Sequence, residues 1–281
     1  AASPSPLAFG EVLIGGSGAD VTLTLSNAGA IDLHVSSLTV GGAAAADYTI
    51  VSPPLPITVV PGGTRAVVVH FQPPAHGLRS ASLTLLSDAF TQPTLVVVLS
   101  GTGVAPIMSA TPSVAFGARN VGASVTGLVS VSNTGERSLT VSQVSLSGGD
   151  AADFTVLTAL PINVAAGASA SLTLRFAPAA VGARAATASI VGNDPLTPVV
   201  SVALSGTGTS PGIAIAPTAI DFGDVRIDET SPPSSVTVSN TGSGPLTITG
   251  VSLGGTGSAD FTISAVTLPL VLAPGSDLVV D

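Results

Sequence analysis

An all-β chain of tandem two-sheet sandwiches is what this 281-residue sequence predicts, and three observations predict it. Apolar residues alternate with polar ones in short runs, each run is stopped by Gly, Pro or Asn, and the whole pattern recurs at intervals of about 106 residues. A period of that length falls in the size range of a whole domain, not in the roughly 20 to 50 residues of a solenoid repeat, so each copy carries its own core. No segment sustains the period of an amphipathic helix.

The copies are fixed by anchors that keep the interval. Phe9-Gly10 returns as Phe116-Gly117 and Phe222-Gly223, and Asn27 returns as Asn133 and Asn240, each followed two positions later by Gly. Asp47-Tyr48, Asp153-Phe154 and Asp260-Phe261 follow the same steps; Phe71-Gln72-Pro73 answers Phe176-Ala177-Pro178, and Leu99 to Gly103 answers Leu204 to Gly208. The divisions predicted from these anchors are residues 1–104, 105–209 and 210–281.

In the first unit, strands are predicted near Leu7 to Phe9, at Val21 to Leu25, Leu33 to Val40, Tyr48 to Val51, Val67 to Phe71 and Ala81 to Leu85, each with one face in and one face out. Leu95 to Leu99 is continuously apolar, which predicts a strand covered on both faces. About seven strands in roughly 100 residues, punctuated by Gly and Pro, read as a sandwich. The second unit repeats the design at Val125 to Val131, Leu172 to Phe176, Ala186 to Ile190 and Val199 to Leu204. Short links containing Pro106 and Pro211 restrict neighbouring units more than Gly/Ser linkers do, which predicts a semi-rigid rod. In the third unit Pro274-Gly275 matches Pro61-Gly62, so Val280 falls where Val67 and Leu172 sit and the last sandwich is incomplete. The expectation is that the natural chain continues past Asp281; completion by strands of another subunit is the alternative.

Composition narrows the function classes. Cys and Lys are both absent, which excludes disulfides, thiolate metal sites, a Cys nucleophile and Lys-dependent chemistry within the chain. The net charge of −9 with no basic cluster speaks against nucleic acid as a partner. No apolar run approaches the roughly 20 residues of a membrane-spanning helix, so no membrane insertion is expected in this segment. Charged residues are 8% of the chain against about 25% in average soluble proteins, so Ser, Thr, Gly and Ala must cover the surface. Ala1 to Pro6 reads as a mature end left by signal-peptide removal.

The order Phe-Gly, Asn-x-Gly, Ala-Asp-Phe/Tyr-Thr, Pro-Gly, Phe-x-Pro, Gly-x-Arg and Leu-Ser-Gly-Thr-Gly resembles the ASH (Hydin-type) immunoglobulin-like domain, in particular its form in bacterial surface proteins of the choice-of-anchor D type. Unit two departs from it at Ala166-Gly167, where Pro-Gly is expected. The resemblance implies seven-stranded immunoglobulin-like sandwiches with a structural or tethering role, and it carries over no catalytic residue.

Candidate sites resolve to structural readings. His34, His70 and His76 all lie in unit one and face Thr140, Arg175 and Val181 in the register of unit two, so they read as ordinary exposed residues instead of a metal pair. Asp221, Asp224, Asp228 and Glu229 match no EF-hand spacing and read as solvated loop charge, not as a calcium site. The recurrent Asp47, Asp153 and Asp260, the recurrent Asn27, Asn133 and Asn240, and the pair Arg79 and Arg184 read as local hydrogen bonding that fixes turns. Gly206-Thr207-Gly208 is no phosphate loop, since neither a helix nor a Lys follows it. No catalytic, cofactor-binding or metal-binding residue and no cofactor is therefore expected. The predicted function is a non-enzymatic extracellular stalk, spacer or filament subunit, secreted or at a bacterial cell surface, whose partners are copies of itself or further domains of the same chain. An adhesin or carbohydrate-binding accessory module is the alternative, with cell-surface proteins or glycans as partners.

Overall fold

The computed structural model describes all 281 residues, and strands account for nearly all of its regular structure. Unit one holds β1 (Ala2–Ser3), β2 (Leu7–Leu13), β3 (Ala19–Ser26), β4 (Leu33–Gly41), β5 (Tyr48–Ser52), β6 (Ile57–Val59), β7 (Thr64–Phe71), β8 (Gly77–Ser87) and β9 (Thr94–Val104). They form one sheet in the order β1-β3-β7-β5 and a second in the order β2-β9-β8-β4-β6. Unit two repeats both orders with β10 (Met108–Ala110), β11 (Ser113–Asn120), β12 (Val125–Asn133), β13 (Leu139–Ser147), β14 (Phe154–Val156), β15 (Ile162–Val164), β16 (Ser169–Phe176), β17 (Gly182–Gly192) and β18 (Val199–Thr209): β10-β12-β16-β14 faces β11-β18-β17-β13-β15. The short strands β1, β6 and their counterparts exceed the count of about seven that the alternation alone suggests.

Each sandwich closes on aliphatic side chains from the two inner faces, with Leu23, Val67, Leu83 and Leu99 fully buried in the first and Val129, Leu172, Leu174 and Leu204 in the second. Full burial of each such residue contributes about 2 kcal/mol. One aromatic cluster sits at one end of each core: Phe9, Tyr48 and Phe71 with ring centroids 4.7 to 5.5 Å apart, and Phe116, Phe154 and Phe176 at 5.0 to 5.7 Å. The Phe-Gly anchor acquires a reason here. Gly10 and Gly117 have φ of 68° and 72°, and the register of β2 on β9 and of β11 on β18 slips at those points, so each glycine makes the bulge that turns the strand past the aromatic cluster.

The strand at Leu95 to Leu99 is not covered on both faces. Val97 and Leu99 are buried, while Val96 and Val98 are half exposed, because the sheet of β9 has a neighbouring layer on one side only. The continuous apolar run therefore leaves an aliphatic stripe on the outside of unit one, where unit two carries Ser201 and Ala203.

Unit three contains β19 (Ile213–Ala216), β20 (Val236–Asn240), β21 (Leu246–Ile248), β22 (Leu270–Leu272) and β23 (Asp277–Val280), arranged as β19-β20-β23 and β21-β22. Val280 pairs with Val236 as Val67 pairs with Leu23, so the register of the repeat holds as far as the sequence runs. Residues 220–228 share the positive φ at Gly223, 65°, with Gly10 of β2 and Gly117 of β11, yet form no strand. In the other units that segment is held by parallel pairing to β9 or β18, which has no counterpart here. Three buried residues, Val238, Ile248 and Leu272, form the core of this unit, and Phe222 and Phe261 flank an open apolar groove.

Candidate functional site

The features that recur in the structure are the ends of the units and the joints between them. At each unit's start a buried Asn organises the chain. Asn133 Nδ2 donates to Arg137 O at 2.7 Å and to Val164 O at 3.1 Å, which ties the β12–β13 turn to β15 across the sandwich. Its Oδ1 accepts from Gly135 N at 3.1 Å and from Ile107 N, also at 3.1 Å. Ile107 belongs to the link from unit one, so a single side chain fixes a turn, a strand and the incoming linker. Asn240 repeats all four bonds, with Gly244 O and Leu272 O as acceptors and Gly242 N and Gly212 N as donors. Asn27 makes the two Nδ2 bonds, to Ile31 O and Val59 O, and accepts from Gly29 N. The turn bond is the local one that the sequence suggests; the bonds to the distant strand and to the linker are not visible in a turn motif.

Further groups pin the first joint. Asp194, 2% exposed, accepts from Met108 N at 2.8 Å while its other oxygen accepts from Leu196 N and Thr197 N. Ile14 N donates to Val104 O at 3.0 Å, and Ala105 is fully buried where the units meet. Glu11, Leu13 and Ile14 of unit one face Arg137, Ser138, Asn193 and Pro195 of unit two, with Pro106 between them. Arg137 Nη2 donates to Glu11 Oε2 at 3.0 Å, and His76 Nε2 is paired with Glu136 Oε2. At the second joint Asn120 Nδ2 donates to Pro245 O at 3.2 Å, and Ser210 and Ser243 exchange bonds.

At the opposite end of each sandwich, Asp47 and Asp153 lie buried in a one-turn 3-10 segment. Arg79 Nε reaches Asp47 Oδ2 at 2.5 Å, and Tyr48 OH donates to Arg79 O at 2.7 Å. In unit two Arg184 donates instead to Asp150, at 2.8 Å, and stays 3.6 Å from Asp153. These aspartates thus meet an arginine more than 30 positions away, which replaces the purely local bonding the sequence suggests. Asp260 is exposed.

A sandwich with a bulge at Phe-Gly, a buried Asn at the joint and an Asp-aromatic turn over an arginine is thus built twice in the same order. Residues 102–200 match the ASH family, described as Abnormal spindle-like microcephaly-associated, ASPM-SPD-2-Hydin. The ASH match covers the second unit almost entirely. No curated protein matches the chain. Among solved structures, the chain is similar to a protein of unknown function from Porphyromonas gingivalis W83, with 16% identity, 74% of this chain and 98% of that one covered, and a TM-score of 0.32. It is also similar to the ASH / PapD-like domain 7 of human CEP192, with 13% identity, 37% and 85% coverage and a TM-score of 0.29. Extracellular cadherin domains 1–4 of protocadherin gamma B7 align with 14% identity, 98% and 67% coverage and a TM-score of 0.40.

The three histidines of unit one lie apart from one another. Each has its own carboxylate: His34 with Asp88 at 2.9 Å, His70 with Asp20 at 2.6 Å, and His76 with Glu136. Each histidine is thus paired with a carboxylate at the surface. The Asp88 carboxyl is held below its usual range, chiefly by the backbone N–H of His34. Asp221 accepts from Gly223 N at 2.8 Å and Asp228 stands at a positive φ of 67°, the position of Gly15 and Gly122, so the acidic group of unit three is a turn like its counterparts.

Proposed function

We propose that the chain is a non-enzymatic, exported structural segment of a bacterial exterior, in which ASH-type units at residues 1–104, 105–209 and 210–281 act in series as a spacer or assembly element. The observation that carries this reading is the reuse of one device at both joints: Asn133 and Asn240 each accept from the linker N–H of the preceding unit, at 3.1 and 3.2 Å. A side chain that satisfies a turn, a strand and a linker together makes the orientation of neighbouring units part of the fold. The aromatic residues point the same way, since eight of the nine belong to the repeated end clusters and leave few for a sugar-binding face. Small-angle scattering from the full chain tests the proposal: an elongated particle is expected, and a compact one would remove the spacer role.

A binding module is the second reading, and one feature favours it. Phe90, in the β8–β9 loop, is fully exposed, and Ile31 is 80% exposed. These are the counterparts of Pro195 and Arg137, which line the joint in unit two. A glycan array probed with the parent chain and with Phe90→Ser tests this: a hit lost in the variant would replace the spacer reading with an adhesin.

A further inference from the structure

The joint between units one and two is charged, and the joint between units two and three is not. Glu11 comes from β2, His76 from the β7–β8 loop, and Glu136 and Arg137 from the β12–β13 loop, so each of the two ion pairs crosses from one unit to the other. In the register of the repeat the same four positions at the second joint are Ala118, Val181, Ser243 and Gly244. The exchange is complete, and it has a steric counterpart. A Cβ at Gly244 would run into the side chains of Asn120 and Thr209, so the second joint is closed by short neutral side chains packed on the Gly244 backbone where the first is bridged by long charged ones.

We propose that these four residues form a pH-dependent clasp, so that the first joint loosens as His76 loses its proton while the second joint does not respond. Among these side-chain types, imidazole is the one that ordinarily exchanges its proton near neutrality. Below that range, an imidazolium faces the Glu136 carboxylate, and a charge-assisted bond of this kind is about twice as strong as a neutral one. Above it, the ring keeps at most a neutral hydrogen bond. Glu136 remains ionised across the whole window, since the hydrogen bond from His76 holds its carboxyl below the usual range. The Arg137–Glu11 pair supplies a background attraction that salt weakens. Because His76 and Glu136 sit on the surfaces of two separately packed cores, breaking their contact acts on the angle between units and leaves each sandwich intact. The side chains are about one-third to one-half exposed, at 32% and 46%, so the clasp is suited to biasing a hinge and not to locking it. The behaviour holds for a spacer and for a binding module alike.

The absence of Cys makes the test direct. Spin labels on Thr39→Cys and Ser145→Cys report the first joint, and labels on Ser145→Cys and Thr247→Cys report the second. Distance distributions are recorded at about pH 5.5 and about pH 8, on either side of the ordinary His value. The expected result is a rise of about two- to fivefold in the open population at the first joint at the higher pH, with no change at the second. His76→Val and Glu136→Ser, which copy the residues of the second joint, each abolish the pH response; circular dichroism confirms that the sandwiches remain folded, and either variant suffices if the other does not fold. A first joint insensitive to pH would overturn the proposal. So would an equal response in His76→Val, which would assign the effect to His34 or His70.

Discussion

Arg79 Nε donates to the buried Asp47 Oδ2 at 2.5 Å, across the end of the first sandwich. Hydrogen bonding to Asp47 raises the Arg79 value further above its already high range. In unit two the same aspartate keeps only a longer ion-pair contact, with Arg184 Nε 3.6 Å from Asp153 Oδ2. Asp150, standing where unit one has Ala44, draws Arg184 to itself and leaves Asp153 Oδ2 buried without a donor. The first unit therefore depends on a single pair where the second shares its cation between two acids. Arg79→Ala leaves the Asp47 carboxylate buried and unpaired, and is expected to destabilise unit one by about 2 to 3 kcal/mol. Urea unfolding followed by the fluorescence of Tyr48, the single tyrosine of the chain, isolates that unit. An unchanged midpoint would show that solvent already reaches Asp47.

Asn133 makes four hydrogen bonds from a position 1% exposed, and one of them holds the linker. Replacement by Ala leaves two carbonyls and two N–H groups unpartnered at the joint, at an expected cost of about 3 kcal/mol to unit two. Asn133→Asp is expected to cost more, since it sets a carboxylate oxygen against the carbonyls of Arg137 and Val164. Hydrogen exchange at Ile107 separates the two effects of the Ala variant. Faster exchange there than at Leu172 would mark a loosened linker, whereas equal acceleration would mean the Asn serves only the fold.

Gly101 and Gly206 each lie against the ring of Phe71 or Phe176, so closely that an added Cβ would overlap the ring edge. The Leu-Ser-Gly-Thr-Gly anchor is thus a seat for the buried aromatic. Gly206→Ala forces Phe176 from its place in a close-packed core and is expected to destabilise unit two by about 1 to 3 kcal/mol. Unfolding of the variant in a Phe176→Leu background checks the cause: the penalty shrinks if the ring is what the Cβ meets, and persists if backbone strain is responsible.

The repeat anchors that could be read in the sequence are those whose cause is local or periodic. Alternation placed β3, β7, β8 and β16 because one face of each meets the core, and Phe-Gly stood out because a bulge needs positive φ at one position. What remained hidden depends on partners far along the chain. Nothing near Asn133 announces Val164 or Ile107, and nothing near His76 announces Glu136. The one available signal was a difference between copies: the joint residues are where the units cease to agree, with His76 against Val181 and Arg137 against Gly244. The covered-strand expectation at Leu95 to Leu99 failed for a related reason. Side-chain composition along one strand does not say how many layers pack on the sheet.

Tyr48 offers a titration with a single chromophore. It is buried beneath Phe9 and Phe71, and its hydroxyl donates to Arg79 O at 2.7 Å. Burial, with the neighbouring Asp47 carboxylate second, pushes its value up to about 12. Unfolded tyrosine titrates near about 10, so the folded value is the higher one and the neutral phenol is the form that the fold favours. The contribution to stability is then fully present below about pH 10 and is lost as the pH rises through the folded value, while Phe154 in unit two carries no such dependence. Absorbance at the phenolate band should show a midpoint near about 12 in the native chain and near about 10 in strong denaturant. Tyr48→Phe, which copies unit two, is expected to remove the alkaline step from the unfolding profile while leaving the aromatic cluster in place. A native midpoint near about 10 would mean that the hydroxyl reaches water and that the bond to Arg79 O does not hold.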